Sequence, residues 1–250
     1  MTIRPLIFVD LDDTLFQSAR KMAEDMPREV VTTDSHGVPN GYMTPNQSVF
    51  TSWLLDHGDV VPVTARSVDA FRRVQMPFQL GAICHHGGVL LDAGGRVDVD
   101  WQLQCRLDLA QYQDALARVF EELLIIRQEL QISLRLTQQE TPGQVQFVMA
   151  KQSGGSDEVL IKVLGMIQER LPLNGLYVHL NGNNLTFIPH AISKRRAVEE
   201  WLRRDRACHG LRPVIGFGDS LTDHGFLSEC DWWGTPKNGQ LANWINESLS

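Results

Sequence analysis

The stretch Phe8-Val9-Asp10-Leu11-Asp12-Asp13-Thr14-Leu15 sets the strongest limit on what this chain can fold into. An apolar run, Pro5 to Val9, ends in three carboxylates within four residues. Continuous apolar runs of this length suit a strand buried on both faces of a parallel sheet. Carboxylates crowded at the end of such a strand repel one another, so stability alone does not select them. They ask for a cation, a shared proton or a reacting centre. A solvated, aspartate-rich turn is the plainer explanation, and the rest of the chain decides between the two.

Strand and helix patterns alternate through the first part. Thr44-Pro45 has the form of an N-cap followed by proline at the first helical position. The helix after it carries Val49, Phe50, Trp53 and Leu54 on one face and stops near Gly58. Val60 to Val63 is the next strand, and Phe78 to Cys84 leads into another. Residues 17–43 exceed the roughly 2–6 residues usual for a βα connection, which marks them as functional. Within them, Val30 to Thr33 followed by Asp34-Ser35-His36-Gly37 suggests a small hairpin.

Near residue 90 the pattern changes. A long helical stretch from about Leu107 to Leu130 precedes two alternating segments, Ser133 to Thr137 and Gln144 to Met149. A helix from Ser156 to Leu171 follows, then strands Leu176 to Leu180 and Leu185 to Pro189 around Asn181-Gly182-Asn183-Asn184. The order α-β-β-α-β-β describes an α+β module. After Pro189 the first pattern resumes. A helix from Ser193 to Arg204 presents Ala197, Val198, Trp201 and Leu202, and the strand Pro213 to Phe217 runs into Gly218-Asp219-Ser220. The expected fold is therefore α/β: a doubly wound parallel-sheet core (1–90 and 190–250) interrupted by an α+β domain (91–189).

Composition excludes several classes. A net charge of −7 argues against general affinity for nucleic acid or an anionic membrane. It leaves an anionic substrate open, because a bound divalent cation reverses the local field. No apolar run approaches the roughly 20 residues of a membrane span, and the start of the chain lacks a signal-peptide pattern, so a cytoplasmic protein is expected. Cys84, Cys105, Cys208 and Cys230 lie far apart, without metal or redox spacing, and read as reduced and structural.

Four sites recur at the carboxyl ends of strands or the start of a helix: Asp10/Asp12, Thr64, Lys194 and Asp219/Asp223. Ligands of open α/β sheets bind at that edge. In this order the residues resemble the haloacid dehalogenase-like superfamily of phosphohydrolases. Asp10-Leu11-Asp12-Asp13-Thr14 matches the nucleophile motif, Val63-Thr64-Ala65-Arg66 the second, Ser193-Lys194 the third and Gly218-Asp219-Ser220-Leu221-Thr222-Asp223 the fourth. The inserted module, between the second and third motifs, is similar in topology to the cap of the sugar-phosphatase branch. That branch includes sucrose-phosphate, trehalose-phosphate and mannosylphosphoglycerate phosphatases and phosphomannomutases.

The resemblance implies a Mg²⁺-dependent phosphatase acting on a small phosphorylated metabolite, a sugar phosphate in that branch, as a monomer or homodimer. Asp10 would attack phosphorus, since passage through an aspartyl-phosphate divides a very high barrier. Asp12 would protonate the leaving oxygen and later activate water, a role suited to a carboxyl beside another carboxylate. Asp10, the backbone carbonyl of Asp12 and Asp219 would hold Mg²⁺, with Asp223 in support. Thr64, Ala65 and Lys194 would bind the phosphate. A lysine in the first helical turn opposes the helix dipole, and a bound phosphate reverses that penalty.

Departures from the pattern are Thr222 where that branch commonly has asparagine, Ala65 where it has glycine, and Arg195 after the lysine. His85-His86-Gly87-Gly88 stands where relatives tend to carry an asparagine-glycine turn, and reads as a hinge. Three rivals remain: a phosphotransferase or mutase of the same superfamily, a phosphometabolite-binding protein without turnover, and a signalling receiver domain. Receivers are about half this length and place their aspartate on a later strand.

Overall fold

The computed structural model describes residues 3–141, 143–152, 157–181 and 183–249. They form two compact units, Met1–Gln102 with Lys194–Ser250, and Leu103–Ser193. The turns expected at Thr141-Pro142-Gly143 and Asn181-Gly182-Asn183-Asn184, and the helix start at Ser156, each include a residue outside the described set.

The first unit begins with β1 (Leu6–Val9), all four of whose residues are buried. The segment after it forms a hairpin, β2 (Glu29–Thr33) and β3 (Pro39–Met43), as its β-branched run and turn suggest. Helix α1 (Pro45–His57) starts at the expected cap. Thr44 Oγ1 accepts from Gln47 N, and the Gln47 side chain accepts from Thr44 N. Its expected buried face is narrower than the sequence suggests: Leu54 is buried, whereas Val49 and Trp53 are exposed. The sheet that α1 covers is too small to take the whole apolar stripe, although Phe50 meets Phe217 edge-on at 5.1 Å.

β4 (Asp59–Pro62), a short α2 (Val68–Phe71), β5 (Ala82–Cys84) and β6 (Val89–Leu91) follow. The strand expected from Phe78 is confined to 82–84, where it pairs with β6. Helix α3 (Val99–Leu109) leads out of the first unit.

The second unit has the expected order: α4 (Gln113–Glu129), β7 (Leu134–Thr141), β8 (Gln144–Gln152), α5 (Asp157–Arg170), β9 (Leu176–Asn181) and β10 (Asn184–Pro189). The long helix expected from Leu107 to Leu130 is broken at 110–112, where a 3₁₀ turn separates α3 from α4. The strands run antiparallel in the order β7-β8-β10-β9. Leu116, Val119, Leu123 and Ile126 of α4 and Leu160, Val163 and Ile167 of α5 bury against Val148, Ala150, Leu185 and Phe187 of the sheet. Residues three and four apart on each helix thus meet residues two apart on each strand.

Back in the first unit come α6 (Lys194–His209), β11 (Val214–Phe217), α7 (His224–Leu227), β12 (Trp232–Gly234) and α8 (Gln240–Leu249). On α6, Ala197, Val198 and Leu202 are buried as expected. The parallel sheet has the order β12-β11-β1-β4. Val9 stands level with Phe217 on one side and Pro62 on the other, so three strands end together. All four cysteines are free thiols; Cys208 is exposed rather than part of a core. Among the described residues, no helix is long and apolar enough to cross a membrane.

Candidate active site

That shared strand end determines what lies beside what. Asp10 follows β1, Gly218 and Asp219 follow β11, and Val63 and Thr64 follow β4. The Asp10 N–H donates to Phe217 O at 2.8 Å, which continues the ladder one residue past the strand. Neighbouring parallel strands are about 4.8 Å apart, so Asp10, one residue beyond β1, and Asp219, two beyond β11, leave the sheet side by side.

Lys194, the first residue of α6, completes the cluster. Its Nζ donates to Asp10 Oδ1 and to Asp223 Oδ1, both at 2.6 Å, with all three side chains buried. Asp223 is further fixed by Ser220, whose N–H and hydroxyl donate to Oδ2 at 3.0 and 2.8 Å. Gly218 is needed for this approach, because a Cβ there would lie 2.7 Å from the Asp223 Cβ. Thr14, not singled out from the sequence, has its hydroxyl 3.5 Å from both Asp10 Oδ2 and Asp219 Oδ1.

The charges do not balance. Asp10, Asp219 and Asp223 offer carboxylate oxygens within 4.8 Å of one another, all buried, against one ammonium. Burial raises the Asp10 carboxyl well above the ordinary carboxylate range; Lys194 opposes this, and Asp223 and Asp219 add to it. Burial likewise pushes Asp219 up to about 7, helped by Asp223 and Asp13. For Lys194, burial works against the ammonium, yet Asp10 and Asp223 outweigh it and hold its pKa above the ordinary lysine value. A dication would remove the deficit, and an all-oxygen donor set suits Mg²⁺. The residues fit that ion.

Asp12 stands apart from this cluster. Its expected neighbour was another carboxylate; its actual partner is Arg66, which donates from Nε to Oδ2 and from Nη2 to Oδ1, each at 2.7 Å. The Asp12 carboxyl is thus held by Arg66 and not by the three-carboxylate cluster, and Asp13, at φ 65°, completes the turn and pairs with Lys21 at 2.6 Å.

Thr64 is fully buried, and its hydroxyl accepts from Arg66 N at 3.1 Å, a turn-forming bond. Ala65, next to it, is half-buried. Two histidines brace this loop. His86 N donates to Thr64 O and His85 N to Arg66 O, while His85 Nε2 accepts from Val68 N. Both hold φ above 50°, a left-handed conformation that costs a non-glycine residue energy and is characteristic of functional loops.

Arg195, by contrast, pairs on the surface with Glu199 and Glu229. Arg196 lies with its guanidinium 5.2 Å from the centroid of the Trp101 ring.

No protein-family model matches the chain, and no curated protein sequence matches it. Solved structures do. The sucrose-phosphatase from Synechocystis sp. PCC6803, in complex with sucrose and phosphate, is 17% identical. The match covers 98% of this chain and 88% of that one at a TM-score of 0.56. The C-terminal domain of C. albicans trehalose-6-phosphate phosphatase is 13% identical over 98% and 76%, with a TM-score of 0.59. A haloacid dehalogenase-like hydrolase from Bacteroides thetaiotaomicron is 14% identical over 98% and 100%, with a TM-score of 0.51.

Proposed function

Since this chain has the haloacid dehalogenase-like fold of those structures, we propose that it is a Mg²⁺-dependent phosphatase of a small phosphorylated metabolite. The observation that carries the reading is Lys194 bridging Asp10 and Asp223 inside a buried cluster of three carboxylates. As pure structure such a cluster is a liability, since unpaired buried charge is expensive. As a site for a dication and a phosphoryl group it is a match of charge.

Asp10 is the nucleophile: a carboxylate oxygen forms a bond to phosphorus as the ester P–O bond breaks. Lys194 favours the ionised form of Asp10 against its burial, orients it and supplies positive charge to the phosphoryl oxygens. Asp12 gives its proton to the departing ester oxygen, then takes one from the water that cleaves the aspartyl-phosphate. Thr64 and the Ala65 N–H bind phosphoryl oxygens. Asp10, the Asp12 carbonyl and Asp219 would hold Mg²⁺, and Asp223, whose oxygens are taken by Lys194 and Ser220, would support them. When bound, Mg²⁺ would supply positive charge to offset the carboxylates and the phosphoryl oxygens. Substrate selection falls to the inserted α+β unit. A sugar phosphate is the favoured class, by analogy with the sucrose- and trehalose-phosphate enzymes.

The test is a phosphate-release screen over phosphorylated sugars and related metabolites with Mg²⁺, run beside Asp10→Asn. Phosphate should appear in step with substrate loss and vanish in the variant. Full activity in Asp10→Asn contradicts the proposal, and loss of substrate without free phosphate identifies a transferase instead.

A further inference from the structure

The clamp on Asp12 gives a task to the long segment after β1. Asp12 carries the proton step in the reading above, yet its side chain is 49% exposed, where that of Asp10 is 7%. An exposed aspartate samples several rotamers and loses that freedom only against an opposing interaction. Here one guanidinium engages both oxygens, which fixes the plane of the carboxyl as well as its position.

Arg66 is itself held on three sides. Its Nη1 donates to Thr32 Oγ1 at 3.2 Å and to Ala70 O at 3.5 Å. Its face lies 4.9 Å from the centroid of the Phe16 ring. Thr32 belongs to β2, is fully buried, and bridges to Val74, while Gln75 N donates to Val31 O. The hairpin is thereby fastened beside α2. A surface ion pair is worth about 0–1 kcal/mol and explains neither the buried threonine nor the aromatic face beneath the arginine. An acid–base group that must stay in register explains both.

We infer that Arg66, and Thr32 through it, are positioning residues that aim the Asp12 carboxyl at the leaving oxygen. The inference rests on the phosphatase reading. In the first half-reaction the Asp12 O–H proton passes to the ester oxygen as the P–O bond breaks and the Asp10–phosphorus bond forms. In the second, Asp12 takes a proton from water as that bond is cleaved.

Two esters of nearly equal shape separate positioning from mere scaffolding. Phenyl phosphate needs protonation of its leaving oxygen, and p-nitrophenyl phosphate scarcely does. The quantity to compare is kcat/KM, which reports steps only up to phosphoryl transfer. Arg66→Lys keeps the charge and loses the fork; Thr32→Val keeps the shape and loses the hydroxyl. With general acid catalysis worth about 10²–10⁴-fold, Arg66→Lys should lose about 100-fold on phenyl phosphate and less than about 10-fold on the nitro ester. Thr32→Val should show the same imbalance at about 10-fold against no loss, and it carries the test if Arg66→Lys melts early. Equal losses on both esters, or no loss in either variant, overturn the inference alone. A parent protein that releases phosphate from neither ester nor any compound of the screen overturns the phosphatase reading and this inference with it. One active only on a metabolite of the screen is compared with both variants on that ester, where losses below about 10-fold in Arg66→Lys overturn the inference alone.

Discussion

Replacing Asp219 by asparagine should make the metal-free protein more stable while destroying its site. The Asp219 carboxyl is buried beside Asp223 and Asp13, and its pKa stands at about 7 against an ordinary 3.8. At about 1.4 kcal/mol per pKa unit, the folded protein pays about 4 kcal/mol to hold it ionised. Because the folded value exceeds the unfolded one, this group's contribution to stability is intact below 3.8 and is lost as pH rises to about 7.

Asparagine has nearly the same volume and keeps an oxygen facing Thr14, but carries no charge. In EDTA at pH 8 the variant should therefore exceed the parent by about 2–4 kcal/mol, and at pH 4 the two should be nearly equal. For a chain of this length a kcal/mol moves Tm by about 2–4 °C, so the expected gain at pH 8 is about 5–15 °C. Circular dichroism melts at the two pH values measure it, and adding Mg²⁺ should stabilise the parent but not the variant. A variant that melts at or below the parent at pH 8, or gains as much at pH 4, refutes the claim that uncompensated charge is stored here.

Other perturbations read the same cluster from different sides. Lys194→Met removes the ammonium that bridges Asp10 and Asp223, so stability should fall by about 3–5 kcal/mol in urea titrations and phosphate release should cease. Gly218→Ala brings a methyl group 2.7 Å from Asp223; a cost of about 1–3 kcal/mol and a drop in turnover should follow, measured by melts and phosphate release. Burial pushes the Cys84 and Cys230 thiols up to about 12, and Cys105 is buried. Iodoacetamide on the native protein should thus modify Cys208 first, as peptide mass spectrometry would show.

Much of this architecture was legible because it depends on local pattern. Apolar runs ending in Asp10, Thr64 and Asp219 announce strands that finish at one sheet edge. Thr44-Pro45 announces a helix start, and the order of elements in 113–189 gives the antiparallel unit. Side-chain partners across the fold leave no such mark. Nothing in the spacing says that Arg66 reaches back 54 positions to Asp12, or that Thr32 reaches Arg66. Nor does the spacing say that the Thr14 hydroxyl reaches Asp10 and Asp219, or that Ser220 fixes Asp223. Val49 and Trp53 had helical period but no sheet left to cover, since periodicity reports a face and not the area awaiting it. The break at 110–112 has no glycine or proline to signal it.

The central claim is that Asp10 receives the phosphoryl group. Acid-quenching the enzyme during turnover of ³²P-labelled p-nitrophenyl phosphate with Mg²⁺, followed by peptide mapping, tests it directly. Label should sit on the peptide holding Asp10, be released by hydroxylamine and disappear on a chase with unlabelled ester. Continued phosphate production with no label on that peptide at any quench time would contradict the account.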